Sequence, residues 1–226
     1  MNEPARRSVV VWDLATRIFH WLLAIAVAIN LFVVSPRGDL NRFVHFSIGY
    51  GVLGLLLFRI AWGFLGSPHS RFADFIRGWP AARGHIEGLK RGQPQQWVGH
   101  NPLGGWMIAT LIGTLSLMVA TGLFASDRRA SGPLAHLIAK DWSNTIGDVH
   151  SLVSDILIGL IGLHLFGVAL HWYVNRENLV ASMLHGRKSM PAEQARKERP
   201  LASGTLAAVL GMIVFAIAAG LVWLTG

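Results

Sequence analysis

Four histidines stand inside long apolar runs of this sequence, His20, His45, His150 and His164, and His171 follows one heptad after the last. An ionisable side chain in such surroundings is costly and usually serves a function. His150 and His164 are 14 residues apart. On a helix that spacing is about 21 Å along the axis and within ~40° of one face. A neutral imidazole is a metal ligand, and imidazoles converging on one iron from two helices are a way to hold haem. There is no cysteine. That removes iron–sulfur clusters, thiolate zinc sites, disulfides and the Cys-x-x-Cys-His attachment of c-type haem. His69, His85, His100, His136 and His185 fall between the apolar runs and read as solvated loop residues.

The elements that must position these histidines follow from solvent. Of 226 residues, 52% are hydrophobic and 14% charged, below the roughly 25% charge of a water-soluble domain. Five segments approach the roughly 20 residues that cross a hydrocarbon core. They are Thr16–Val34, Val44–Leu65, Leu103–Ala125, Val149–Tyr173 and Thr205–Thr225. Unsatisfied backbone groups are costly in lipid, so each is read as a helix. Arg6 and Arg7 resemble the basic start of a signal peptide, but Asp13 and Arg17 interrupt it and no Ala-x-Ala site follows Val34. The first span is therefore expected to be retained.

Fifteen of the 20 Lys and Arg lie before or at the start of the first span, near or after the end of the second, and between the fourth and fifth. By the positive-inside rule the N-terminus is cytoplasmic and the C-terminus periplasmic. The same bias accounts for the net charge of +8 without nucleic acid. Depth then pairs the histidines. His45 and His150 begin inward-running spans and lie towards the periplasm, while His20 and His164 lie towards the cytoplasm. Two iron-binding pairs at two depths result. His171 also reaches the cytoplasmic level, but its place at a helix end beside Trp172 and Tyr173 suits an interface residue.

Arg17, Arg42 and Arg59 are candidates to pair with haem propionates, or they snorkel to the membrane surfaces. Gly49, within His45-Phe46-Ser47-Ile48-Gly49-Tyr50-Gly51, admits either a flat macrocycle or a neighbouring helix. Asp155 either lines a proton path for quinone chemistry or hydrogen-bonds to the third or fifth helix, and Asn30 suits an interhelical hydrogen bond. Two readings without haem compete: histidines as interhelical hydrogen-bonding groups, or a histidine-lined metal transporter. No accompanying set of intramembrane carboxylates favours the latter.

Val11-Trp12-Asp13-Leu14-Ala15-Thr16-Arg17-Ile18-Phe19-His20-Trp21 resembles the opening signature of the bacterial cytochrome b561 family, which includes the cytochrome b subunits of nickel–iron hydrogenases. The likeness continues through Gly99-His100-Asn101-Pro102-Leu103-Gly104, Thr121-Gly122-Leu123-Phe124 and the His150/His164 pair, and ends near Lys188. It implies ligands on helices 1, 2 and 4, matching His20, His45, His150 and His164. It also implies electron transfer between membrane quinone and a periplasmic redox partner, either a c-type cytochrome or a dehydrogenase or hydrogenase subunit.

The expectation is an all-α integral membrane bundle in the bacterial inner membrane. Residues 1–188 form a di-haem domain, 189–204 a cytoplasmic linker that lies near the lipid surface, and 205–226 a peripheral fifth span. Two bis-histidine haems b and exchangeable quinone are the expected cofactors. An electron-transfer subunit is the first reading, and a stand-alone quinone-linked oxidoreductase such as a superoxide oxidase is the alternative.

Overall fold

The computed structural model describes residues 6–33, 39–93, 97–127, 131–192 and 200–225. Eight helices carry most of the described chain: α1 Leu14–Ala28, α2 Asp39–Leu65, α3 Phe72–Phe75, α4 Trp79–Lys90, α5 Pro102–Phe124, α6 Lys140–Asn175, α7 Leu179–His185 and α8 Gly204–Thr225. α1 winds into a π-helical turn over Ile29–Val33. Four stretches are long and apolar enough to cross a membrane: Leu14–Phe32, Asn41–Leu65, Pro102–Phe124 and Lys140–Asn175. Gly204–Gly220 is apolar but shorter. Two compact units divide the chain, the first of Met1–Ile18, Ile60–Thr110 and Gly162–Ala207, the second of Phe19–Arg59, Leu111–Ile161 and Ala208–Gly226.

The first unit holds an element that hydropathy does not reveal. Strand β1, Arg6–Val10, pairs antiparallel with β2, Arg187–Pro191, so that Arg6 faces Pro191 and Val10 faces Arg187. Val9, Val11, Trp12 and Met190 are buried beneath the ribbon, with Val98 and Met183 packed against them. The turn into β2 is Gly186, at φ 77°, a conformation that glycine adopts without steric cost. Its carbonyl accepts hydrogen bonds from the backbone N–H groups of Val11 and Trp12. A Cβ at this position would stand 2.7 Å from the Trp12 carbonyl oxygen. The 189–204 stretch expected as a linker thus opens with ordered strand, while residues 193–199 lie outside the described residues.

Asp13 explains part of the opening signature. One carboxylate oxygen accepts from the Thr16 backbone N–H at 2.6 Å, capping α1. The other accepts from Trp62 Nε1 at 3.2 Å and from the Ser70 hydroxyl at 3.1 Å. Trp62 is 1% exposed and Asp13 6%, so the start of α1 and the end of α2 share a buried polar knot. The connector after α2 is structured too: Trp106 donates to the Arg77 carbonyl at 2.7 Å, and the Arg77 guanidinium lies 4.5 Å from the Trp97 ring centre.

In the second unit Val52 and Leu56 of α2, Leu115 of α5 and Leu157 of α6 form the buried centre, with Leu23, Val27 and Leu31 packed around it. α8 approaches α2 at Gly54, where a Cβ would meet Ala218 and Val214 at ordinary van der Waals distance. α6 begins at Lys140, nine residues before the expected Val149. Polar residues such as Asp141, Asn144 and Asp148 hide this first part from hydropathy, yet an acidic first turn suits a helix N-terminus. Ser143 fastens it to the end of α5, donating its hydroxyl to the Phe124 carbonyl at 2.8 Å. At 36 residues and ~1.5 Å per residue, α6 is about 54 Å long and outruns a hydrocarbon core of about 30 Å.

Candidate functional site

His45 of α2 and His150 of α6 lie close together in the second unit. Their ring centres are 6.3 Å apart and their planes lie at 82°. A cavity of ≈ 480 Å³ opens beside them, walled mostly by apolar side chains of α1, α2, α5 and α6. Imidazole nitrogen binds a first-row metal at about 2 Å, and its ring centre lies ~1.1 Å behind the nitrogen, so two imidazoles sharing one metal would have centres about 6 Å apart. The observed separation meets that requirement. Gly49 lines the cavity, and a Cβ there would find nothing within 4 Å, which leaves open space beside the rings. Arg42 lines it as well and supplies a cation. These residues fit a haem: two nitrogen donors, an apolar slot and a partner for a propionate.

Helix α5 shapes the other side of His150. The Thr121 hydroxyl lies 3.0 Å from His150 Nδ1. The same oxygen lies 2.8 Å from the Leu117 carbonyl and 3.0 Å from that of Met118. At the next residue, Gly122, a Cβ would stand 3.0 Å from His150 Cε1. A larger residue there would press on the ring. Thr121 and Gly122 stand out in the sequence only through the family resemblance. The available signal is a small pair at the end of one span, at the depth of a candidate ligand that starts the next. Asn30, in the π-helical turn of α1, also lines the cavity, and its Oδ1 is buried without a hydrogen-bond partner. An interhelical hydrogen bond was the expectation for it.

The remaining candidates lie as follows. His20, half-buried in the second unit, sets its ring edge-on to Trp21 at 5.0 Å. His164, half-buried, belongs to the first unit. His171 has both ring nitrogens engaged: Asn175 Nδ2 lies 2.9 Å from Nδ1, and Glu177 Oε2 lies 3.0 Å from Nε2. Glu177 also pairs with Lys188 of β2 at 3.0 Å. Burial alone would raise the Glu177 carboxyl, but the bond to His171 and the Lys188 charge outweigh it and hold the group below its ordinary value. Arg17 donates to the Leu184 carbonyl of α7. Arg59 is buried at 3% exposed.

Three expectations need correction. Asp155 is exposed on α6 rather than turned towards a neighbouring helix. His85 is 4% exposed and accepts a hydrogen bond from Trp97 Nε1 at 3.4 Å. Desolvation first, and then the neighbouring His171, lowers its pKa. His100 sits between Trp12 and Phe75 in tilted ring contacts, with ring centres at 4.5 and 5.1 Å. Neither histidine is a solvated loop residue, because the connectors fold. His136 and His185 are exposed as expected. Among the described residues no group of three or more His, Cys, Asp or Glu side chains is placed to hold a metal ion. A haem would need only two histidines from the protein.

A family model described as prokaryotic cytochrome b561 matches residues 11–186. A protein of Rhizobium leguminosarum bv. viciae named probable Ni/Fe-hydrogenase B-type cytochrome subunit is 26% identical over 81% of this chain and 90% of its own length. Proteins of the same name from Rhodobacter capsulatus and Bradyrhizobium diazoefficiens are 23% and 26% identical over 81% of this chain, covering 82% and 87% of theirs. No solved structure matches.

Proposed function

The chain belongs to the prokaryotic cytochrome b561 family, b-type cytochromes of membrane electron transport, and from that premise we propose that it carries electrons across the bilayer through two haems b, each held by two histidines. The observation that carries this reading is the His45/His150 pair, with ring centres 6.3 Å apart beside an apolar cavity. His45 and His150 hold the outer haem. His20 and His164 hold the inner one, a pairing that rests on their depth along the first and fourth spans. When bound, haem supplies a one-electron change at iron. The chain places the ligands, excludes water with apolar walls and offers Arg42 to a propionate, with Arg17 and Arg59 proposed for the same role at the inner haem. Gly49 leaves room for the macrocycle. The engagement of both His171 nitrogens supports His164 over His171 as ligand.

Membrane quinone is the proposed exchangeable partner on one side. A periplasmic redox protein is the partner on the other, and the relatives' names favour a hydrogenase over a c-type cytochrome. The N-terminus is cytoplasmic, α8 is a fifth span, and the C-terminus is periplasmic. Purified protein should contain two noncovalent haems b per chain by pyridine haemochrome assay and give a dithionite-reduced b-type band. One haem, or a covalently attached one, would overturn the two-site reading. Co-purification from native membranes identifies the partner, and a reporter after Gly226 tests the orientation.

A further inference from the structure

The two nitrogens of His150 are not equivalent in their surroundings: Thr121 Oγ1 of α5 stands beside Nδ1, and the Met118 backbone also meets the ring. Thr121 Oγ1 carries a single hydrogen. Two carbonyls of its own helix, those of Leu117 and Met118, lie at 2.8 and 3.0 Å. Bonding back to the preceding turn is the usual state of a threonine inside a helix, since it satisfies the hydroxyl without another element. With its hydrogen directed there, the oxygen offers His150 only lone pairs. Nδ1, 3.0 Å away, must then be the nitrogen that carries the proton. A neutral imidazole holds one such proton, so Nε2 is left with a free lone pair.

We propose that Thr121 is a positioning residue: its hydroxyl selects the Nδ1–H tautomer of His150 and thereby presents Nε2 to iron and sets that haem's potential. This rests on His150 being a haem ligand, as proposed above. Gly122 completes the device. A Cβ there would stand 3.0 Å from Cε1 and 3.5 Å from Nδ1, so its absence lets the ring approach the hydroxyl. An acceptor on the far nitrogen of a ligating histidine fixes ring orientation and raises ligand basicity. A more basic ligand favours ferric iron, so the hydroxyl lowers the midpoint potential. Losing it raises the potential.

Potentiometric titration of the haem-loaded protein tests this, with haem content and the low-spin ferric electron paramagnetic resonance signal measured alongside. Thr121→Val keeps the shape and removes the acceptor, while Thr121→Ser keeps the acceptor. The expected result is an upward shift of one of two components in Thr121→Val with an altered ferric signal, and wild-type behaviour in Thr121→Ser. The shifted component should be the one that His150→Ala removes. Unchanged potentials in Thr121→Val overturn the proposal, as does an equal shift in Thr121→Ser, which would assign the effect to packing. If Thr121→Val loses that haem altogether, Thr121→Ser decides: a wild-type potential supports the hydroxyl and a displaced one refutes it. If His150→Ala retains both haems, the ligand assignment has failed and this inference falls with it. If His150→Ala loses one haem while Thr121→Val is silent, only this inference falls.

Discussion

His150 and His171 lie on the same helix, 21 residues apart, and the structure gives them opposite circumstances. His150 has one nitrogen beside a hydroxyl of α5 and a cavity next to its ring. His171 has Asn175 at one nitrogen and Glu177 at the other. A histidine whose nitrogens both meet protein partners has no lone pair left for a metal, and a carboxylate acceptor at Nε2 requires the proton to sit there. Residue type, hydrophobic surroundings and even helix face do not distinguish the two. What distinguishes them is whether the fold meets the ring with polar groups or with open space.

The largest expected effect breaks this contrast directly. Replacing His45 or His150 with Ala should remove one haem of two, and both variants should lose the same component of a potentiometric titration. His171→Ala should keep both haems, because its ring serves Glu177 instead. Haem loss in His171→Ala with retention in His164→Ala would reverse the ligand assignment. Variants count only if their helical circular-dichroism signal is intact.

A smaller effect concerns Asp13, the buried knot of the first unit. Asp13→Ala leaves the Thr16 N–H, Trp62 Nε1 and the Ser70 hydroxyl without their acceptor. Loss of the cap and of hydrogen bonds to a charged group should cost about 2–3 kcal/mol. Thermal unfolding in detergent should therefore move down, with the titration component lost in His150→Ala unchanged in potential. A displaced potential would mean that the knot does more than hold the helix ends.

The smallest effect is a pH dependence at β2. The folded state depresses the Glu177 carboxyl below its ordinary value of 4.5. Its contribution to stability is therefore present above that value and lost as pH falls through the folded pKa. Glu177→Gln should remove this part of the acid sensitivity and leave Lys188, 4% exposed at its side chain, without its carboxylate. Hydrogen exchange of the β1–β2 ribbon at pH 7 and at pH 4 measures both. A variant as acid-sensitive as the parent would show that Glu177 does not anchor the strand.

Much of the transmembrane plan was legible because lipid imposes it: long apolar runs must be helices, and each charged or imidazole group inside one stands out. Four of the expected spans form, and the ring centres of His45 and His150 lie 6.3 Å apart. The start of α6 was not legible, since its first nine residues are mostly polar and Ser143 ties them to the end of α5. Nor was the ribbon, whose strands are five residues long and about 180 positions apart in sequence. Arg6, Arg7 and Lys188 carry charges that suggest solvated ends, and pairing between distant segments leaves no periodicity in either.

The sequence alone therefore singled out the imidazoles that stand in apolar runs, because the polarity of a helix around one residue is a local property. Only the tertiary structure decided which of them keep a free nitrogen. That depends on Thr121, Gly122, Asn175 and Glu177. Two of these come from another helix and two from the end of α6 and beyond it, and the direction of a hydrogen bond is fixed only when the groups meet.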